Sequence, residues 1–116
     1  MNIEELRTYC LSLPHATEDM PFGEDTLVFK VGGKIFLLTG LSGAFSINLK
    51  CDPEYAMELR EAHAAVRPGY HMNKKHWNTV DVDGSLTDQF LCGLIDHSYQ
   101  QVIKTLTKKV RAELFG

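Results

Sequence analysis

An α+β fold, a small antiparallel sheet with helices packed on it, is what this sequence predicts. Three observations predict it. Gly32-Gly33 separates two runs rich in β-branched and aromatic residues, Phe45, Ile47 and Leu49 alternate with polar residues, and both ends of the chain repeat apolar residues at helical spacing.

Taken in order, Asn2 with Glu5 three residues later makes a helix-opening pair, and Ile3, Leu6, Cys10 and Leu13 form one stripe, so residues 3 to 13 are expected as a helix. Pro14 stops it by constraining Leu13. His15 to Asp25, with Pro21 and Gly23, reads as a connection. Thr26–Val31 and Lys34–Thr39 are expected as adjacent strands joined at Gly32-Gly33, a pair able to take the positive φ angles of a tight hairpin. Gly40 to Gly43 is a further turn, and the alternation from Phe45 to Lys50 is a half-buried strand. Asp52-Pro53 opens a helix running to about residue 64, interrupted by Pro68-Gly69. Thr79–Val82 reads as a short strand before an Asp83-Gly84 turn. Ser85 or Thr87 then caps a long C-terminal helical region carrying Leu91, Leu94, Ile95, Val102, Leu106 and Val110, which Gly93 can divide into two pieces.

The 116 residues fit one domain, 1–116, with one core and no internal repeat or low-complexity linker. An apolar fraction of 44% and a charged fraction of 23% are those of a folding chain. The formal charge of −3 supplies no overall attraction to nucleic acid or an anionic membrane, so a polyanion site has to be local. Cys10, Cys51 and Cys92 are odd in number and widely spaced, which fits reduced cysteines, and no apolar run nears the roughly 20 residues of a membrane span. A cytoplasmic location without membrane attachment is expected.

The segment Arg67-Pro68-Gly69-Tyr70-His71-Met72-Asn73-Lys74-Lys75-His76-Trp77-Asn78-Thr79 concentrates positive and aromatic side chains in an otherwise acidic chain. Arg67, Lys74 and Lys75 can contact phosphates, Tyr70 and Trp77 can stack on bases, Asn73 or Asn78 can donate hydrogen bonds, and His71 completes the candidate surface. A second reading stands beside it, in which Trp77 and Tyr70 anchor a folded loop and the lysines stay hydrated. A third is an interface for an acidic protein partner with the same aromatic residues at its centre. A catalytic reading would have to bring Cys51, His71 and His76 together, but no recognised Cys/His signature is present. His63, His71 and His76 lack a metal-ligand spacing, and Gly32-Gly33 lacks the remainder of a phosphate-binding loop. Neither a metal nor a cofactor is expected.

Several separated motifs, in one order, resemble the MmcQ/YjbR family. They are Pro21-Phe22-Gly23, Val28-Phe29-Lys30-Val31-Gly32-Gly33-Lys34, Leu49-Lys50-Cys51-Asp52-Pro53, the run from Pro68 to Thr79, and Ser98-Tyr99. The resemblance spans nearly the whole chain. It implies a small α+β protein resembling the double-wing DNA-binding fold, with DNA binding as the suggested role and no catalytic constellation to carry over.

Overall fold

The first helix, α1 (Ile3–Ser12), opens on a reciprocal capping box. The Asn2 side chain accepts from the Glu5 amide at 2.8 Å, and the Glu5 carboxylate accepts from the Asn2 amide at 3.1 Å. The structure, a computed structural model, describes every residue except Tyr70 and His71. Leu6 and Cys10, a turn apart, form the buried stripe of α1, and Leu13 ahead of Pro14 is already extended.

The expected connection after α1 contains a strand, β1 (Thr17–Asp19), whose three residues are all exposed. Its antiparallel partner is β2 (Thr26–Val31), which turns at Gly32-Gly33 into β3 (Lys34–Gly40). Gly32 has φ +59 and Gly33 φ +80, the pair of positive values that a two-residue hairpin needs. The third sequence-read strand is β4 (Ser46–Lys50). Next comes α2 (Pro53–Ala62), with Pro53 in its first turn and the Asp52 carboxylate accepting from the Tyr55 amide at 3.2 Å.

Two short strands come next, β5 (Val66–Pro68) and β6 (Trp77–Asp81). The first falls where only an interruption is expected, and the second begins two residues before the expected Thr79. The C-terminal helical region does divide, but not at Gly93, which lies exposed inside α3 (Asp88–Thr105) with open space where a Cβ would be. The break comes at Leu106, which is extended. Thr107 then caps α4 (Lys108–Phe115) by accepting from the Val110 amide at 3.2 Å.

All six strands pair antiparallel in the order β1-β2-β3-β4-β6-β5, confirming the α+β class. Directly paired residues share a face. One face therefore carries the rows Leu27–Thr39–Ile47–Val80–Val66 and Phe29–Leu37–Leu49–Asn78–Pro68, and the other carries Val28–Leu38–Asn48–Thr79–Arg67 and Lys50–Trp77. The first face meets the helices. Its apolar residues cluster with Leu6 and Cys10 of α1, Ala56 and Leu59 of α2, and Ile95 and Tyr99 of α3. Phe36 stands at the centre, 5.4 Å from Tyr99 edge to face.

The pairing also fixes what lies at each end of the strands. One end carries the start of β2, the turn between β3 and β4, and the end of β6. The other carries the Gly32-Gly33 turn, Lys50 and the connection from β5 to β6. The α3–α4 junction packs on this second end: a Cβ on Gly32 would stand 2.7 Å from Leu106 Cδ2 and 3.2 Å from Val110 Cγ1.

Candidate nucleic-acid interface

The basic-aromatic segment is the connection between β5 and β6 together with those strands. The described part of its backbone is held from three sides. From within, the Asn73 carbonyl accepts from the His76 and Trp77 amides at 3.2 and 2.9 Å, and the Asn73 side-chain oxygen accepts from the Lys75 amide at 2.9 Å. Just past β5, the Gly69 amide donates to the Trp77 carbonyl at 2.9 Å, an approach so close that a Cβ on Gly69 would lie 2.9 Å from Trp77 Cβ and 3.0 Å from its oxygen. From α2, the Arg60 guanidinium donates to the Lys74 carbonyl, to the Trp77 carbonyl at 3.3 Å and to Asn78 Oδ1 at 2.7 Å.

Arg60 is the residue that sequence reasoning missed. It sits in the last turn of α2, where it also suits the negative end of the helix dipole. Because it can only donate, it fixes which end of the Asn78 amide faces it. Asn78 Nδ2 then has no partner among the described residues, and Asn78 is one of the residues bordering a cavity of about 10 Å³, the scale of a single water molecule.

Three successive amides at the end of β4 tie this connection to α3. Lys50 donates to Ser98 Oγ at 2.8 Å, Cys51 to the His76 carbonyl at 2.7 Å, and Asp52 to His97 Nε2 at 3.1 Å. Ser98 in turn donates to the Phe36 carbonyl at 2.6 Å, so one hydroxyl bridges α3 to two neighbouring strands. His97 packs edge-on against Tyr55 at 5.0 Å, and burial lowers its pKa, with Lys104 adding to the effect and Asp52 opposing it. The neutral ring is the form that can accept from Asp52.

The candidate residues are not equivalent in this frame. Lys74 and Lys75 are exposed, and neither joins an ion pair among the described residues. Trp77 is partly buried, paired with Lys50 on the face turned away from the helices and outside the main apolar cluster. Arg67 is engaged by Asp81 through two bonds of 2.6 and 3.2 Å, an exposed pair of the kind that contributes about 0.2–1 kcal/mol. Asn73 is committed through its side-chain oxygen to the turn. Tyr70 and His71, both candidate contacts, lie outside the described residues.

Of the residues considered for catalysis, His76 meets Cys51 through backbone atoms. The Cys51 thiol is buried, and that burial pushes its pKa up to about 11, with Asp52 adding to the rise, so it is held as a thiol and not as the reactive thiolate. His63, considered as a metal ligand, packs at a tilt against Phe90, with the ring centroids 4.9 Å apart. Among the described residues no helix is long and apolar enough to cross a membrane.

A family model named YjbR matches residues 11–101. The chain is 38% identical over 112 residues to the YjbR protein of Escherichia coli K12, covering 96% of this chain and 95% of that protein. It is 39% identical over 107 residues to YbdF of Escherichia coli O157:H7, covering 91% and 88%. Among solved structures, the Deinococcus radiodurans protein DR2400, described by the family domain DUF419, superimposes with a TM-score of 0.92 at 43% identity, covering 97% of this chain and 87% of that one. A Pseudomonas syringae protein superimposes at 0.75 and 30%, covering 87% and 98%. On these matches the chain belongs to the YjbR family.

Proposed function

We propose that this chain is a nonenzymatic nucleic-acid-binding protein, with DNA as the ligand to test first, and that the 72–77 turn is its principal contact. The observation that carries the reading is the combination of exposed Lys74 and Lys75, which join no ion pair among the described residues, with a turn whose backbone is fixed by Arg60 and by the Cys51 amide. A preorganised backbone spares a binding site the cost of ordering its loop. Phosphates would meet the two ammonium groups, and Trp77 beside Lys50 offers an aromatic edge at the rim of the turn. Arg67 would contribute only on release from Asp81. Resemblance to the double-wing DNA-binding fold supports the same reading by analogy.

The test titrates labelled single- and double-stranded DNA with the wild type and with Lys74→Ala/Lys75→Ala at two salt concentrations, after confirming by circular dichroism that both are folded. Affinity should fall with salt, and the double variant should bind more weakly across sequences with a shallower salt dependence. Absence of binding to either DNA at low ionic strength would rule the reading out. An acidic protein recovered by the wild type and lost by the double variant would then identify this surface as a protein interface.

A further inference from the structure

The net charge of −3 conceals a separation of charge along the strands. At the end where β2 begins and β6 finishes, Glu24, Asp25 and Asp83 are exposed. The amino end of α1 lies there too, beside the β3–β4 turn, with its terminal ammonium 2.9 Å from Asp88 at the start of α3. The cations divide the other way. Arg7 pairs with Glu18, Lys30 with Asp19 and Arg67 with Asp81, while Arg60 is bound to the turn. At the opposite end, Lys34 donates to the Thr105 carbonyl, and Arg111 to the carbonyls of Ile103 and Lys104.

The lysines left without a side-chain partner among the described residues are Lys50, Lys74, Lys75, Lys104, Lys108 and Lys109, and the topology places all of them at that one end. Lys50 pairs with Trp77, and Lys104, Lys108 and Lys109 flank the junction that packs on Gly32. Of the acids at the same end, Asp52 is occupied in capping α2, and Glu54 stands exposed in the first turn of that helix. Lys108 and Lys109 also stand in the first turn of α4, which has no acidic residue, so the helix dipole opposes both charges. Their presence there costs stability, which points to a role outside folding.

We infer that the polyanion contact does not stop at the 72–77 turn but runs across this end of the sheet to a second phosphate-binding patch made by Lys104, Lys108 and Lys109. This extension rests on the nucleic-acid reading of the turn. The hairpin strand β2 lies three positions from β6 in the sheet, about 14 Å at roughly 4.8 Å per strand. One strand of duplex DNA carries a charge about every 3.4 Å of helix axis, so this spacing corresponds to about four base pairs of axial rise.

Salt dependence counts these contacts. Each neutralised duplex phosphate contributes about −0.9 to the slope of log affinity against log salt, so contact through the turn lysines alone gives about −2 and through the whole end about −5. A fourfold rise in salt would then weaken binding on the order of a thousandfold instead of about tenfold. The experiment measures this slope on a mixed-sequence duplex for the wild type, Lys74→Ala/Lys75→Ala, and Lys108→Ala/Lys109→Ala, with unfolding monitored in parallel. The last variant should stay folded, bind more weakly at low salt and lose about 2 from the slope. If it unfolds, Lys108→Gln/Lys109→Gln takes its place. A wild-type slope near −2, with binding unchanged in the α4 variant, would overturn this inference and leave the turn as the site. No duplex binding by the wild type at low salt would remove both.

Discussion

Two hairpin connections reach the same end of the sheet and are held in opposite ways. Between β2 and β3 the turn is Gly32-Gly33, and the positive φ of those two residues is enough to reverse the chain. Between β5 and β6 the chain leaves at Pro68 and returns at Trp77, and residues 73–77 are held by Asn73 from within and, decisively, by Arg60 and the Cys51 amide from outside, with Gly69 pressed close to Trp77. The difference is informative because the outside contacts fall mainly on backbone carbonyls, those of Lys74, His76 and Trp77. The backbone of residues 73–77 is therefore set while the lysine side chains stay available.

Removing Arg60 should have the largest effect on the second connection. Arg60→Ala deletes three charge-assisted hydrogen bonds and leaves the Asn78 amide without its remaining partner, for an expected loss of about 2–3 kcal/mol in urea unfolding. Arg60→Lys should recover little, since an ammonium cannot span the same acceptors. A loss under about 0.5 kcal/mol would mean that the second connection also holds itself.

Glycine substitutions sharpen the contrast. Gly69→Ala drives a Cβ into the Trp77 backbone and should cost about 2 kcal/mol through displacement of that strand. Gly33→Ala meets nothing within 4 Å, so its cost should be backbone strain alone, about 1 kcal/mol. Equal losses, measured by denaturant midpoints at an unchanged slope, would erase the distinction between an imposed turn and a local one.

The smallest effect is expected from pH. His97 accepts from the Asp52 amide only when neutral, and its pKa is below the usual histidine value in the folded chain. The unfolded chain therefore binds the proton more readily, and the contribution is fully present above about pH 6.5 and declines as pH falls through that value toward the lowered folded pKa. Urea midpoints measured between pH 7.5 and 5.5 should show this decline in the wild type and a flatter profile in His97→Gln. Identical profiles would mean that His97 does not support the β4–α2 junction in this way.

The same comparison accounts for what the sequence made legible. Gly32-Gly33, the alternation of Ile47 and Leu49, and the Asn2, Asp52 and Thr87 caps act within a few residues, so the elements they govern could be read directly. β1 and β5 carry three residues each and are mostly exposed, so neither displays an apolar alternation. Gly93 misled because it faces open space, where a missing side chain removes no packing. Thr107, the actual cap at the break, was a readable signal obscured by the apolar stripe that runs past it to Val110. Arg60 had no local signature at all, since its partners lie 14 to 18 residues away and are chiefly carbonyls. The basic end of the sheet was hidden for a similar reason: Lys50, Lys74 and Lys108 become neighbours of one surface only when the strands are ordered.

The two outermost strands have a consequence for how the protein behaves at high concentration. An exposed sheet edge is a template for a strand from another molecule, and long, flat, apolar edges promote aggregation. Here β1 is three residues long, its sequence is Thr17-Glu18-Asp19, and it carries the Glu18 and Asp19 ion pairs, while β5 is equally short and ends in Pro68, which has no amide hydrogen to offer. A neighbouring chain would find few residues to pair with on either side. Such edges discourage fibril growth while the chain remains folded.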